Sequence, residues 1–496
     1  MKNSNPFAPF MHENHKKPLT RRELLAQGFI SYGGYLALPS VLTMFSRQAR
    51  GEDSVCTPQK GGARMIPVIV FDLAGGANLS GVNVIAGAQG GQMDFLPPGS
   101  YGTIGLAPEA EPSKLAATDP AFSEFGLAFH PASPMLAGMR ATTTAPTRAG
   151  VEGVMFAGTS NDDSRSNPHN PLYWVAKAGS TGDLVSFVGT SSGASGGRAP
   201  APAASIDPSK APTVITKPGD ALGIVDAGKL ANLLGAVSTP QQGIADVQKV
   251  LQATRSMSEA RIKKFQQKDV PAQVQELIKC GYINSAGFLS KFTPAALDPN
   301  ADPIITARFT MTNAQQANVA TITKLVLDGY AGAGVIEMGG YDYHGQGRAT
   351  QNTKDTAVGD LIGRVLETAA LKQTPVMIYV YTDGGVSSNA GGSPTNGLLP
   401  FTSDSGERSS SFALLYKPGG ARPAMRNNKH QIGAFQASGS VDTTASKIAN
   451  TPELMTKAFI ANYLAAHGRE GDLAKVVGDN PFGAELEKHL AFAKNV

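Results

Sequence analysis

Cysteine is almost absent from this chain: two residues in 496, Cys56 and Cys280. Two cysteines cannot build a disulfide framework or a cysteine-rich metal site. They leave a choice between one bridge and two independent thiols. Charge is sparse too, at 17% of residues against a usual ~25%. The formal net charge of +4 comes from the start of the chain, where residues 1–50 hold seven basic and two acidic side chains. Beyond residue 50 the balance is nearly neutral, with no run of Lys or Arg to follow a phosphate backbone. Nucleic acid is excluded as a partner on those electrostatic grounds. No fixed-period repeat occurs, which counts against a solenoid or propeller. Hydrophobic residues at 41% are too many for wholesale disorder, and the length suffices for a sizeable core.

Glycine is abundant, 56 residues or about 11% against a usual ~7%. The leader reads Thr20-Arg21-Arg22-Glu23-Leu24-Leu25, followed by a weakly apolar stretch from Ala26 to Phe45 broken by Gly28, Gly33, Gly34, Tyr35 and Pro39. It is less apolar than the ~20-residue run of a membrane span. A positive region before a modest apolar one is the pattern of an export signal, and the paired arginines resemble a twin-arginine signal, which exports folded proteins. A retained anchor and a cytoplasmic tail are the alternatives. The expected organisation is a signal over 1–50, a linker over 51–64, a main domain over 65–440 and a C-terminal helical segment over 441–496. A helical insertion is expected over about 240–305.

Short continuous apolar runs mark strands buried on both faces: 67–71, 154–157, 184–188, 335–338, 376–381 and 410–416. Helical patterns cover 313–328, with Thr312 and Gln315 as a capping box, then 354–371 and 452–466. Strand, long helix, strand is the grammar of an α/β sheet, whose ligands gather outside the carboxyl ends of the strands. Three such ends carry carboxylates. Asp72 follows the first run, Asp342 and His344 follow the run at 335–338 through Gly339-Gly340, and Asp383 follows the run at 376–381. If these strands are parallel neighbours, their carboxylates meet and repel unless a cation compensates them. An O,N ligand set suits zinc, manganese or iron. A bland reading stands beside this one, since a lone Asp after a strand often caps a helix or a turn. Gly75-Gly76 is either an anion cradle or a tight turn, and no P-loop follows it.

Of the histidines beyond the leader, His130, His467 and His489 read as ordinary surface residues. His169 lies in the dense polar segment Asp162 to Asn170 and is a candidate wall of a site, while His430 has little polar company. Removal of His344 is expected to weaken metal binding more than removal of His169.

Four segments occur in a suggestive order: Phe71-Asp72-Leu73-Ala74-Gly75-Gly76-Ala77-Asn78-Leu79, Arg165-Ser166 with Tyr173-Trp174, Gly339-Gly340-Tyr341-Asp342-Tyr343-His344, and Thr382-Asp383-Gly384-Gly385. With the double-arginine leader, the chain resembles a bacterial family of exported proteins in the alkaline phosphatase/sulfatase-like superfamily. The resemblance implies a mixed, mainly parallel sheet sandwiched by helices. It also implies a metal site drawn from Asp72, Asp342, His344 and Asp383. The pattern has gaps: Asn78 stands where Asp is usual, Asn167 where His is usual, and Thr402-Ser403-Asp404-Ser405-Gly406 matches a Thr-Asp-His-Gly element without its His. One divalent ion, zinc or manganese, is therefore expected rather than two.

Two functions follow. The first is an exported metal-dependent hydrolase of a phosphate ester, or less readily a sulfate ester, because no Cys/Ser-x-Pro-x-Arg signature follows the first strand. Ser80 is its candidate nucleophile by position, with Thr159 or Ser160 behind it, and Arg165 the candidate grip on an anionic oxygen. The second is a non-catalytic binding or scaffold protein on the same fold. The expected partners are a small anionic ligand and, for the precursor, the twin-arginine export machinery.

Overall fold

Val68–Leu73 (β1) lies at the centre of the sheet with all six residues buried. A strand apolar on both faces needs helices on both sides. The other main strands are Val151–Ala157 (β2), Val185–Gly189 (β3), Thr213–Val214 (β4), Ala331–Met338 (β5) and Val376–Thr382 (β6). Val386–Ser388 (β7) and Phe401–Asp404 (β8) form a separate two-stranded ribbon, and Ser410–Tyr416 (β9) and Gln431–Ile432 (β10) return to the main sheet. Its order is β10-β2-β9-β6-β1-β5-β3-β4. β1 pairs in parallel with β5 on one side and β6 on the other, so the three carboxylate-bearing strands are parallel neighbours as expected. β9 runs antiparallel to both β2 and β6, and the remaining pairings are parallel.

In this computed structural model the described residues are 65–160, 168–190, 213–224 and 294–496. The signal and linker, Arg165, Asn167, both cysteines and most of the 240–305 insertion lie outside them. Pro294–Leu297 and Pro303–Arg308 are the described helical pieces of that insertion.

Alternation along β1 feeds two cores. Ile69, Phe71 and Leu73 join one, Val68 and Val70 the other. The helices Pro134–Thr142 (α1), Leu172–Ala178 (α2), Ala314–Leu327 (α3), Arg348–Leu371 (α4) and Pro452–Ala466 (α5) cover the two faces, with α1, α3 and α4 on the first and α2 and α5 on the second. This is the mixed, mainly parallel sheet sandwiched by helices that the alkaline phosphatase/sulfatase-like resemblance implied. α5 starts with Pro452 at its first turn and Thr451 as its cap. Its Phe459 ring stacks on Tyr379 of β6 at 4.2 Å, so the C-terminal segment supplies a layer of the sandwich. Among the described residues no helix is long and apolar enough to cross a membrane.

Several boundaries differ from the sequence reading. α3 is capped one residue later, by Asn313, whose side chain accepts from Gln316 N–H. α4 begins at Arg348 rather than 354. The C-terminal histidines are not surface residues. His489 is buried and stacks on Phe482 at 4.3 Å, and His467 Nε2 accepts from Ile66 N–H at 2.9 Å. His130 is also buried, with Nε2 2.8 Å from Ala110 O.

Candidate metal centre

The chain leaving β1 and the chain leaving β5 stay paired beyond their strands. Ala74 N–H donates to Met338 O, Tyr341 N–H to Ala74 O, and Tyr343 N–H to Gly76 O, at 3.0–3.1 Å. The backbone on either side of Asp342 is thereby fixed. Gly75 lies between this loop and the end of β6. Its N–H donates to Asp383 Oδ1 at 2.5 Å, its φ is +116°, and a Cβ there would lie 2.9 Å from Asp342 Cβ. Only glycine accepts that backbone without strain. Gly75-Gly76 is thus a tight turn, and the carboxylate its first N–H meets is the protein's own. Gly75→Ala is expected to push Asp342 outward and weaken manganese binding about tenfold or more, as read by calorimetric titration. An unchanged affinity would show that the loop absorbs the methyl group.

Asp342, His344 and Asp404 come together, with ligand atoms all within 4.8 Å of one another. His344 Nδ1 contacts Asp342 Oδ1 and lies 3.3 Å from Asp404 Oδ1. Asp342 Oδ1 is shielded from solvent, and its partner is the His344 ring nitrogen. Two carboxylates and one imidazole form a set suited to zinc, manganese or iron. The centre faces solvent: the side chains of Asp342 and His344 are about half exposed and that of Asp404 is 77% exposed.

Asp404 arrives on the ribbon. β7 starts three residues after Asp383, and Asp404 pairs with Val386 across it. Ser405 N–H donates to Gly385 O at 2.7 Å. A buried residue of α4 ties this ribbon to the His344 loop. Gln351 donates its amide to Tyr343 O, Gln346 O and Phe401 O at 2.8–3.1 Å, and accepts from Phe401 N–H at 3.2 Å. Beneath the loop, Tyr343 donates to Asp355 at 2.7 Å and Arg348 pairs with the same carboxylate at 3.0 Å, both side chains of the pair being buried.

Of the residues singled out from sequence, Asp342 and His344 belong to the cluster. Asp72 is buried within β1, level with Glu337 and Tyr381, and lies outside the 4.8 Å set. Asp383 also lies outside it, engaged with Gly75. Ser80 is fully buried, and its hydroxyl donates to Ser410 Oγ at 2.9 Å. Asn78 has a structural reason to be an amide: its Nδ2 donates to Val386 O at 3.0 Å while its Oδ1 accepts from Ser80 N–H, and an aspartate would lose the donor. His169 is buried and stacked on Tyr381 near the end of β6, and His430 meets Gly153 O on β2.

Two participants were not identified as such from the sequence. Asp404 had a signal, the imperfect Thr-Asp-His-Gly match around it. Gln351 had none, being one of several polar residues on a helix. No family model, curated protein or solved structure matches this chain.

Proposed function

We propose that this chain is a metal-dependent hydrolase that acts on an ester of phosphate in preference to sulfate. The observation that carries the reading is the Asp342–His344–Asp404 cluster at the carboxyl edge of a mainly parallel sheet. A divalent ion there would supply Lewis-acid polarisation of an ester oxygen and would lower the pKa of water. The chain's own contribution is to present three ligands, two on the loop after β5 and one at the end of β8, with Gln351 bracing both segments. Ser80 has its hydroxyl turned into the interior, so water is the attacking group in this proposal. Arg165 is proposed as the grip on the anionic oxygens. The double-arginine leader, read as a twin-arginine signal, is the ground for proposing export in the folded state.

Manganese or zinc is expected to bind the wild type, and His344→Ala and Asp404→Asn to weaken binding at least tenfold. Calorimetric titration would check this, beside a panel of phosphate and sulfate monoesters. Equal affinities in all three proteins, or no binding by the wild type, would remove the metal centre. The openness of the cluster favours a second reading, a cation-dependent binding protein, because among the described residues its three side chains stay about half exposed or more, open to water. Metal binding without turnover of any ester would select it.

A further inference from the structure

Ser160 follows β2 and is fully buried. Its N–H donates to Gly406 O at 2.9 Å, two residues past Asp404. Its hydroxyl donates to Thr382 O at 2.8 Å, the residue before Asp383. One serine therefore joins the end of β6 to the loop that follows the ribbon.

The proton positions are determined by this arrangement. A hydroxyl has a single hydrogen, and that of Ser160 is directed at Thr382 O. The 2.9 Å contact between Ser160 Oγ and His169 Nε2 must then be an Nε2–H donating to the oxygen. His169 is the Nε2–H tautomer, and its Nδ1 has no hydrogen-bond partner among the described residues. The ring lies flat on Tyr381, with centroids 5.3 Å apart and planes 14° apart. Burial holds its pKa down to about 3, so it is neutral at ordinary pH and carries one N–H only.

We propose that His169 is a positioning residue for Asp404, its Nε2–H locking the serine that ties the end of β6 to the 405–409 loop. Its consequence for metal binding rests on the cation site proposed above, but the mechanical link does not. Loss of the donor frees the Ser160 rotamer, and with it the register of the loop that places Asp404 opposite His344. Partners of this indirect kind typically change metal affinity about 10–100-fold, less than removal of a ligand.

The test uses the full chain. Histidine-selective ¹⁵N labelling should show His169 protonated at Nε2. His169→Leu keeps the volume without the donor, and His169→Gln restores an N–H near the Nε2 position. Amide exchange over 402–409 should be about tenfold faster in His169→Leu and close to wild type in His169→Gln. Manganese affinity should fall about 10–100-fold in the first and recover in the second. Ser160→Ala should behave as His169→Leu does, and carries the comparison if that variant does not fold. An Nδ1–H tautomer, or unchanged exchange in the variants lacking the link, overturns the proposal whether or not manganese binds. Faster exchange that His169→Gln reverses, in a wild type that binds no manganese, upholds the link and rejects the cation site.

Discussion

Replacement of Arg348 by methionine is expected to destabilise the protein by about 3–5 kcal/mol at neutral pH. Arg348 and Asp355 are both buried and pair at 3.0 Å. Removal of the cation strands a carboxylate that retains the Tyr343 hydroxyl as a donor but no counter-charge. Arg348 also lies 5.6 Å from the centre of the Phe401 ring, so the ribbon loses a contact as well. Acid should reveal the cause. Burial raises the Asp355 pKa above the usual carboxylate value, with the Arg348 charge opposing that rise. A raised carboxyl pKa means that the folded state holds its proton more tightly than the unfolded chain does. Its contribution therefore falls as pH rises from about 4, the ordinary value, through the raised one. Without Arg348 the pKa climbs further, so the deficit should be greatest near pH 7 and should shrink on acidification. Urea denaturation of both proteins at several pH values would measure it. A deficit that does not change with pH would assign the loss to packing instead.

The second large effect is expected at Gly359, where α1 and α4 touch backbone to backbone. A Cβ at Gly359 would lie 2.0 Å from Met135 O, and one at Gly138 would lie 2.3 Å from Thr356 O. Neither obstacle is a side chain that can swing aside. Alanine normally improves an exposed helix position by ~1 kcal/mol over glycine. Here the two helices must move apart, and we expect a net loss of about 2–3 kcal/mol. Denaturant unfolding of Gly359→Ala would test it, and a neutral or stabilising result would mean that the pair can separate freely.

The parts of the fold legible in the sequence were those with the strongest physical constraint. A strand buried on both faces must be continuously apolar, and β1, β6 and β9 announce themselves in that way. The apolar run that marks β5 in the sequence starts at Val335, after Gly332 and Gly334. The structure runs the strand through both glycines, since Gly332 passes close to Ser180, where a Cβ would lie 2.0 Å from the carbonyl oxygen. At the site, Asp342 and His344 were legible because they follow a buried strand directly. Asp404 was harder to identify because β8 is an exposed ribbon strand in a Gly/Ser-rich run, with no apolar pattern to mark it. His169 looked like a candidate site wall from its polar neighbours, yet it acts through a serine that only the folded chain brings to it.

The reversed strand has a topological consequence. A parallel sheet offers its carboxyl edge only to chain that has just left a strand, and Asp342 and Asp383 are both departures of this kind. β9 points the other way, so chain on its approach to β9 reaches the same edge, and Asp404 lies on that approach. The cluster therefore combines an exit from one strand with an entrance to another. Were β9 turned to match its neighbours, the approach would lie at the opposite edge, a seven-residue strand or roughly 20 Å away. The third member of the cluster thus depends on the direction of a strand that carries none of the cluster's side chains.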